Sequence, residues 1–146
     1  GTPDLILLKP GRLDDEETAV MRRHAEIGYQ VLSTSSSPLL QVAAQIAYSH
    51  HEKYDGSGYP RGLVGEQIPL FGRIVAVADV YDALTSARPY KPAWSVEKAR
   101  QLLVDGRGSH FDPVCVDAFF SDWDEVLEIQ NRYRDDEVQI RDPWLE

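Results

Sequence analysis

Between Glu52 and Gln67 the chain carries Gly56, Gly58, Pro60, Gly62 and Gly65, a density of flexible and ring-locked residues that neither a helix interior nor a central strand tolerates. That stretch has to be a loop, and a long one. Loops of this length without regular structure are usually functional or disordered, and the aromatic and charged residues inside this one favour function. On either side of it apolar residues recur at helical spacing, and nothing alternates with the period of a strand. The sequence predicts an all-α helical bundle framing one ordered loop.

The helices have readable ends. Asp14 starts the first as an N-cap, with Glu17 completing a capping box, and Ala19, Val20, Arg23, His24, Ile27 and Val31 continue it to about Leu32. Ser33 to Ser37 is a loop, and Ser37 with Pro38 is the next start signal. Leu39, Val42, Ala43, Ile46, Ala47 and His50 then mark one face of a second helix. A third runs from just after Pro69 to about Ser86, where Arg88-Pro89-Tyr90-Lys91-Pro92 breaks it. Ser95 caps a fourth, with Trp94 placed to staple onto Ala99 and Gly106 or Gly108 as its stop. Asp112-Pro113 opens a fifth through Val116, Phe119, Phe120 and Trp123, after which the periodicity fades. The segment 124–146, with Asp135-Asp136-Glu137, reads as an acidic C-terminal extension of a single domain covering 1–146.

Charge narrows the partners. A formal net charge of −9 argues against long-range attraction to DNA or to an anionic membrane surface. It leaves room for a small phosphate ligand, which needs only bound cations or a few placed Arg and Lys. No run reaches the roughly 18 to 20 apolar residues of a membrane span. The lone Cys115 excludes an internal disulfide framework, and no signal-like segment opens the chain, so a reduced, cytoplasmic setting is expected.

Three of the four histidines fall where two helices can bring them together: His24 in the first, and the adjacent His50 and His51 closing the second. A short connection makes those helices antiparallel neighbours, so the end of the second returns to the early or middle part of the first. Neighbouring residues on a helix point about 100° apart, so both members of the pair reach one metal only from a frayed or distorted helix end. The plain structural alternative is a satisfied core His50 and a surface His51.

Asp79 and Asp82 share one face of an otherwise apolar helix. A carboxylate amid small and β-branched residues is expected to be buried and to need a cation, either a metal or Arg73 or Arg88. Mixed His and Asp donors suit Fe, Mn or Zn. Arg88 and Lys91 are placed to hold a phosphate, or are simply solvated cations. Tyr59 is placed to stack on a base or ribose, or to pack in its turn.

Taken together, His50-His51-Glu52-Lys53-Tyr54-Asp55-Gly56-Ser57-Gly58-Tyr59-Pro60 resembles the HHExxDGxGYP signature of HD-GYP domains, a subgroup of the HD hydrolase superfamily. The likeness extends over Gly1-Thr2-Pro3-Asp4, Met21-Arg22-Arg23-His24, Ile68-Pro69-Leu70, Ala78 to Ser86, Arg88 to Lys91 and His110-Phe111-Asp112-Pro113. The resemblance implies a metal-dependent phosphodiesterase that hydrolyses cyclic di-GMP to the linear dinucleotide pGpG or to GMP. It implies two or three divalent ions, iron or manganese, which activate water and polarise the phosphodiester.

By position the resemblance assigns His24, His50, His51 and Asp79 as metal ligands, and Arg88 and Lys91 as contacts to the substrate's phosphates; Tyr59 joins them as a candidate substrate contact. Asp55 and Asp82 would orient ligands from behind. His110 is expected to be structural, its ring packed beneath the helix cap. The family's HDxGK segment, whose Asp bridges the metals, normally precedes the Gly1-to-Asp4 motif, as do helices that complete its core; this sequence holds neither. The expectation is a truncated domain, the output part of a longer two-component response regulator, with the 146 residues alone inactive. The resemblance is also compatible with a homodimer, with a non-catalytic module whose Gly56 to Pro60 loop docks onto a diguanylate cyclase domain, and with a hydrolase of another nucleotide.

Overall fold

The computed structural model describes residues 2–7, 9, 11–86 and 92–134. Its helices, in chain order, are α1 (Asp4–Leu7), α2 (Asp15–Ser33), α3 (Pro38–Ala47), α4 (Leu70–Thr85), α5 (Val96–Asp105), α6 (Pro113–Ser121) and α7 (Trp123–Arg134). The described residues contain no strand, only two isolated bridges, Asp55 with Val64 and Arg107 with Phe111. The fold is all-α, as expected.

Most boundaries follow the capping chemistry. Asp14 accepts from the Glu17 N–H while Glu17 reaches back to the Asp14 N–H, a complete capping box on α2. Ser95 accepts from the Lys98 N–H and Asp112 from the Val114 N–H, starting α5 and α6. Ser37 stands at the N-cap of α3, but its side chain makes no cap bond. That turn is instead held by Ser35, which accepts from the Ser37 N–H, and by Gln41, which donates to the Ser33 carbonyl.

Two expectations need correcting. The chain bends at Asp122 (φ −123°, ψ 51°) and restarts as α7. Periodicity fades after Trp123 because the helix axis changes there. The start of the acidic extension is thereby tied to the core, through Val126 and through the Tyr81 hydroxyl donating to Gln130. Asp79 is exposed, as is Asp82, on the side of α4 opposite the buried Val77. A run of small apolar neighbours does not bury a carboxylate when the helix turns only Gly72, Ala76, Val77, Tyr81, Leu84 and Thr85 inward.

The core lies between α4, α5 and α6, with Val77, Tyr81, Leu84, Ala99, Leu103, Phe111, Cys115 and Val116 buried together and Trp94 and Trp123 packed on its edge. Burying a side chain such as Leu103 or Phe111 contributes about 1.5–3 kcal/mol. α2 and α3 meet through small residues, the buried Ala25 and Ala44. A β-carbon on Gly28 would stand 3.2 Å from that of Ala47. At the N-terminal end of α4 the approach is closer still, since a β-carbon on Gly72 would fall 2.1 Å from the Ser49 hydroxyl. This contact clamps α4 onto the turn that carries His50 and His51.

Candidate metal centre

α3 ends at Ala47, and Tyr48 to His51 form the turns that follow it. Off the regular helix, the two adjacent histidines no longer diverge, and both rings face α2. Their centroids lie 3.9 Å apart, and His24 lies 5.6 Å from His50 and 4.8 Å from His51. One nitrogen from each of the three rings comes within 4.8 Å of the others, which makes a group able to hold a metal ion.

Tautomers decide whether the nitrogens are available. His24 Nδ1 sits 2.6 Å from the Met21 carbonyl, and His50 Nδ1 sits 3.0 Å from the Ile46 carbonyl and 3.2 Å from that of Ala47. A carbonyl oxygen only accepts, so both Nδ1 atoms carry the proton and both Nε2 atoms keep a free lone pair. Main-chain carbonyls orienting ligand imidazoles through Nδ1–H are the usual support of a metal site. His51 Nε2 lies 2.9 Å from His24 Nε2. Burial, with the nearby His50 and His24, pushes His51 down to about 4, so it is neutral near pH 7. Three imidazole nitrogens are a donor set that suits a divalent ion of intermediate softness.

The glycine-rich loop folds back over this cluster. The Tyr59 N–H donates to the His51 carbonyl (3.1 Å), and the Tyr59 ring stacks on His51 at 4.8 Å and 24°. Glu52 holds the loop in place. Its carboxylate is 2% exposed and accepts from the backbone N–H groups of Arg61 (2.8 Å) and Leu63 (3.0 Å). Gly58 passes so close to the Glu52–Lys53 backbone that a β-carbon there would lie 2.2 Å from the Lys53 nitrogen. Tyr54 and Asp55 donate from their N–H groups to the His110 and Ser109 carbonyls, fixing the loop to the α5–α6 connection. His110 itself stacks on Phe111 at 4.1 Å and 7°.

The remaining expected site residues are placed differently. Asp55 Oδ1 accepts from the Ser57 N–H and hydroxyl, a local turn in which Ser57 holds its carboxyl below the usual range. Asp82 Oδ1 accepts from the Ser86 hydroxyl at 3.3 Å. Neither Asp79 nor these two joins the three-histidine group. Asp79 does act electrostatically on Tyr59: burial raises the phenol, Arg22 lowers it, and the charge of Asp79 raises it further. Arg73 pairs with Asp112 at 2.5 Å, so it is not the partner of Asp79. Arg88 and Lys91 lie outside the described residues.

Two contributors were missed in the sequence. Glu52 follows the His pair directly, yet nothing in its spacing shows that its partners are main-chain amides. Arg22 lies over the ring of Tyr59, its Cζ 5.0 Å from the ring centroid, and its place on α2 carries no such signal.

The fold and the cluster agree with what the chain is similar to. The pattern of the HD domain family matches residues 1–115. The chain belongs to this family, and its relatives place it in the HD-GYP branch. A cyclic di-GMP phosphodiesterase response regulator, RpfG, of Xanthomonas campestris pv. campestris is 62% identical over 116 residues, which is 80% of this chain and 31% of that protein. A cyclic di-GMP phosphodiesterase of Vibrio cholerae is 51% identical over 140 residues, 92% of this chain and 28% of the relative. Among solved structures, a cyclic GMP-AMP-specific phosphodiesterase of V. cholerae, V-cGAP3, superposes with a TM-score of 0.59 and 26% identity, over 80% of this chain and 25% of that one. The chain spans about a third or less of the length of these relatives. Membership of the family implies a divalent metal site, and the three histidines fit one. No helix among the described residues is long and apolar enough to cross a membrane.

Proposed function

We propose that this chain works as part of a metal-dependent phosphodiesterase that hydrolyses cyclic di-GMP to pGpG or GMP in the cytoplasm. The observation that carries the reading is the convergence of three imidazoles, two of which, His24 and His50, have their Nδ1 protons committed to main-chain carbonyls. Iron or manganese bound there would supply Lewis acidity toward a phosphodiester oxygen and lower the pKa of an attacking water.

The chain's own groups have separate tasks. His24, His50 and His51 hold the ion, and the Met21, Ile46 and Ala47 carbonyls fix the ring directions. Tyr59 covers His51 and excludes water from one side of the cluster. Asp79, on the exposed side of α4, is the carboxylate we assign to a neighbouring ion, with Asp82 three residues on orienting it and Asp55 shaping the loop. Arg88 and Lys91 contact substrate phosphate in this reading.

The test is turnover by the full-length protein reconstituted with iron or manganese. Release of pGpG or GMP from cyclic di-GMP, faster than hydrolysis of other cyclic nucleotides, is expected; no release with either metal loaded would contradict the proposal. The 146 residues by themselves should give none, because their described part offers a single three-nitrogen position.

A further inference from the structure

A groove of about 490 Å³ is bordered by Asp15, Arg22, Arg23, Glu26, Tyr59 and Pro60. Its volume is within the range of small-molecule sites, roughly 300–1,000 Å³. Arg22 and Arg23 both border it, and among the described residues neither guanidinium is paired with a carboxylate. Arg22 is held over the Tyr59 ring, which also stacks on His51. A guanidinium held against an aromatic face keeps N–H donors at its edge, the geometry that binds phosphate through two bonds. One tyrosine ring therefore forms the wall shared by the imidazole cluster and an arginine-bearing groove.

We infer that this groove is a second nucleotide subsite, in which Arg22, supported by Arg23, binds the phosphate of a cyclic dinucleotide that is not being cleaved. The inference rests on the phosphodiesterase reading above. A cyclic dinucleotide carries two phosphodiesters on opposite sides of one ring, so a substrate with one at the histidines presents the other to the groove that Tyr59 also borders. Asp15 and Glu26 on the same groove suit the N–H donors of a guanine edge, which explains why a phosphate subsite also carries carboxylates.

The test is equilibrium binding of cyclic di-GMP to the metal-loaded full-length protein and to Arg22→Met, Arg22→Lys and Arg132→Ala variants. Met keeps the packing on Tyr59 and removes the charge; Arg22 is exposed on α2, so the fold is not at risk. Arg132 pairs with Glu128 on α7 and serves as the control. Arg22→Met is expected to weaken binding about tenfold or more, the effect of losing hydrogen bonds to a charged group. Arg22→Lys should lose less and Arg132→Ala nothing. Wild-type affinity in Arg22→Met, or an equal loss in Arg132→Ala, overturns the subsite. Hydrolysis of bis(p-nitrophenyl) phosphate separates the two claims. A protein that cleaves this simple diester but does not bind cyclic di-GMP defeats the subsite and leaves the phosphodiesterase class standing. Arg22-dependent binding without hydrolysis of either compound supports the subsite and defeats the catalytic reading.

Discussion

His24 Nε2 and His51 Nε2 lie 2.9 Å apart, on rings that come from α2 and from the turn after α3. His24 Nδ1 is committed to the Met21 carbonyl, so in the metal-free protein the shared proton belongs to His51 Nε2, which donates to His24. His24 and His50 are thus expected as Nδ1–H tautomers and His51 as the Nε2–H form. Long-range proton–nitrogen NMR correlations read this directly. An Nε2-protonated His24 with a bare Nδ1 would contradict the commitment of its proton to the Met21 carbonyl.

The buried Glu52 carboxylate spends both oxygens on main-chain amides beyond Pro60. Glu52→Gln turns one of those acceptors into a donor facing an N–H. It should cost about 1–3 kcal/mol, the usual penalty of an unsatisfied buried group. Because those amides anchor the loop that lays Tyr59 on His51, metal affinity should fall with stability. Denaturant titration and metal competition assays measure the two, and an unchanged midpoint contradicts the anchoring role.

Gly58→Ala meets main chain, which cannot step aside as a flexible side chain can: its β-carbon would lie 2.2 Å from the Lys53 nitrogen and 2.6 Å from the Glu52 carbonyl carbon. Overpacking of this kind costs about 1–3 kcal/mol. Thermal unfolding should show the loss. Gly108→Ala is the comparison, since nothing stands within 4 Å there and only its positive φ of 84° is strained.

Asp112 is buried, pairs with Arg73 and caps α6. Burial alone would raise its pKa, but hydrogen bonds from Arg73 and from the Val114 N–H outweigh that and hold it below the model-peptide value of 3.8. A depressed folded-state pKa means stability that is present above the unfolded value and lost as pH falls through the folded one. Acid unfolding of the wild type should therefore steepen below about pH 4. Asp112→Asn should lack that step and lose stability at neutral pH, where Arg73 is left unpaired. Parallel acid titrations by circular dichroism check it; identical curves would exclude the pair as a contributor.

Much of this was legible in the sequence because it depends on local chemistry. Asp14 with Glu17, Ser95 and Asp112-Pro113 announce their helices through neighbours three residues away or fewer. The glycine spacing of 56 to 65 reveals the loop, and the His50-His51 pair already required an irregular helix end, which the structure supplies at Ala47. What stayed hidden depends on tertiary placement. The sequence around Asp79 is the same whether that side of α4 faces a neighbour or solvent. The Glu52 partners are main-chain amides nine and eleven residues away, which no side-chain pattern records. Arg22 gains its meaning only when the loop folds back and sets Tyr59 beneath it.

The most direct test of the metal centre is the content of bound iron or manganese after reconstitution and dialysis, measured on the full-length protein and on its His51→Ala variant. The account predicts that the variant, still folded by circular dichroism, retains at least one fewer ion per chain than the wild type. Equal metal content in the two proteins would contradict it.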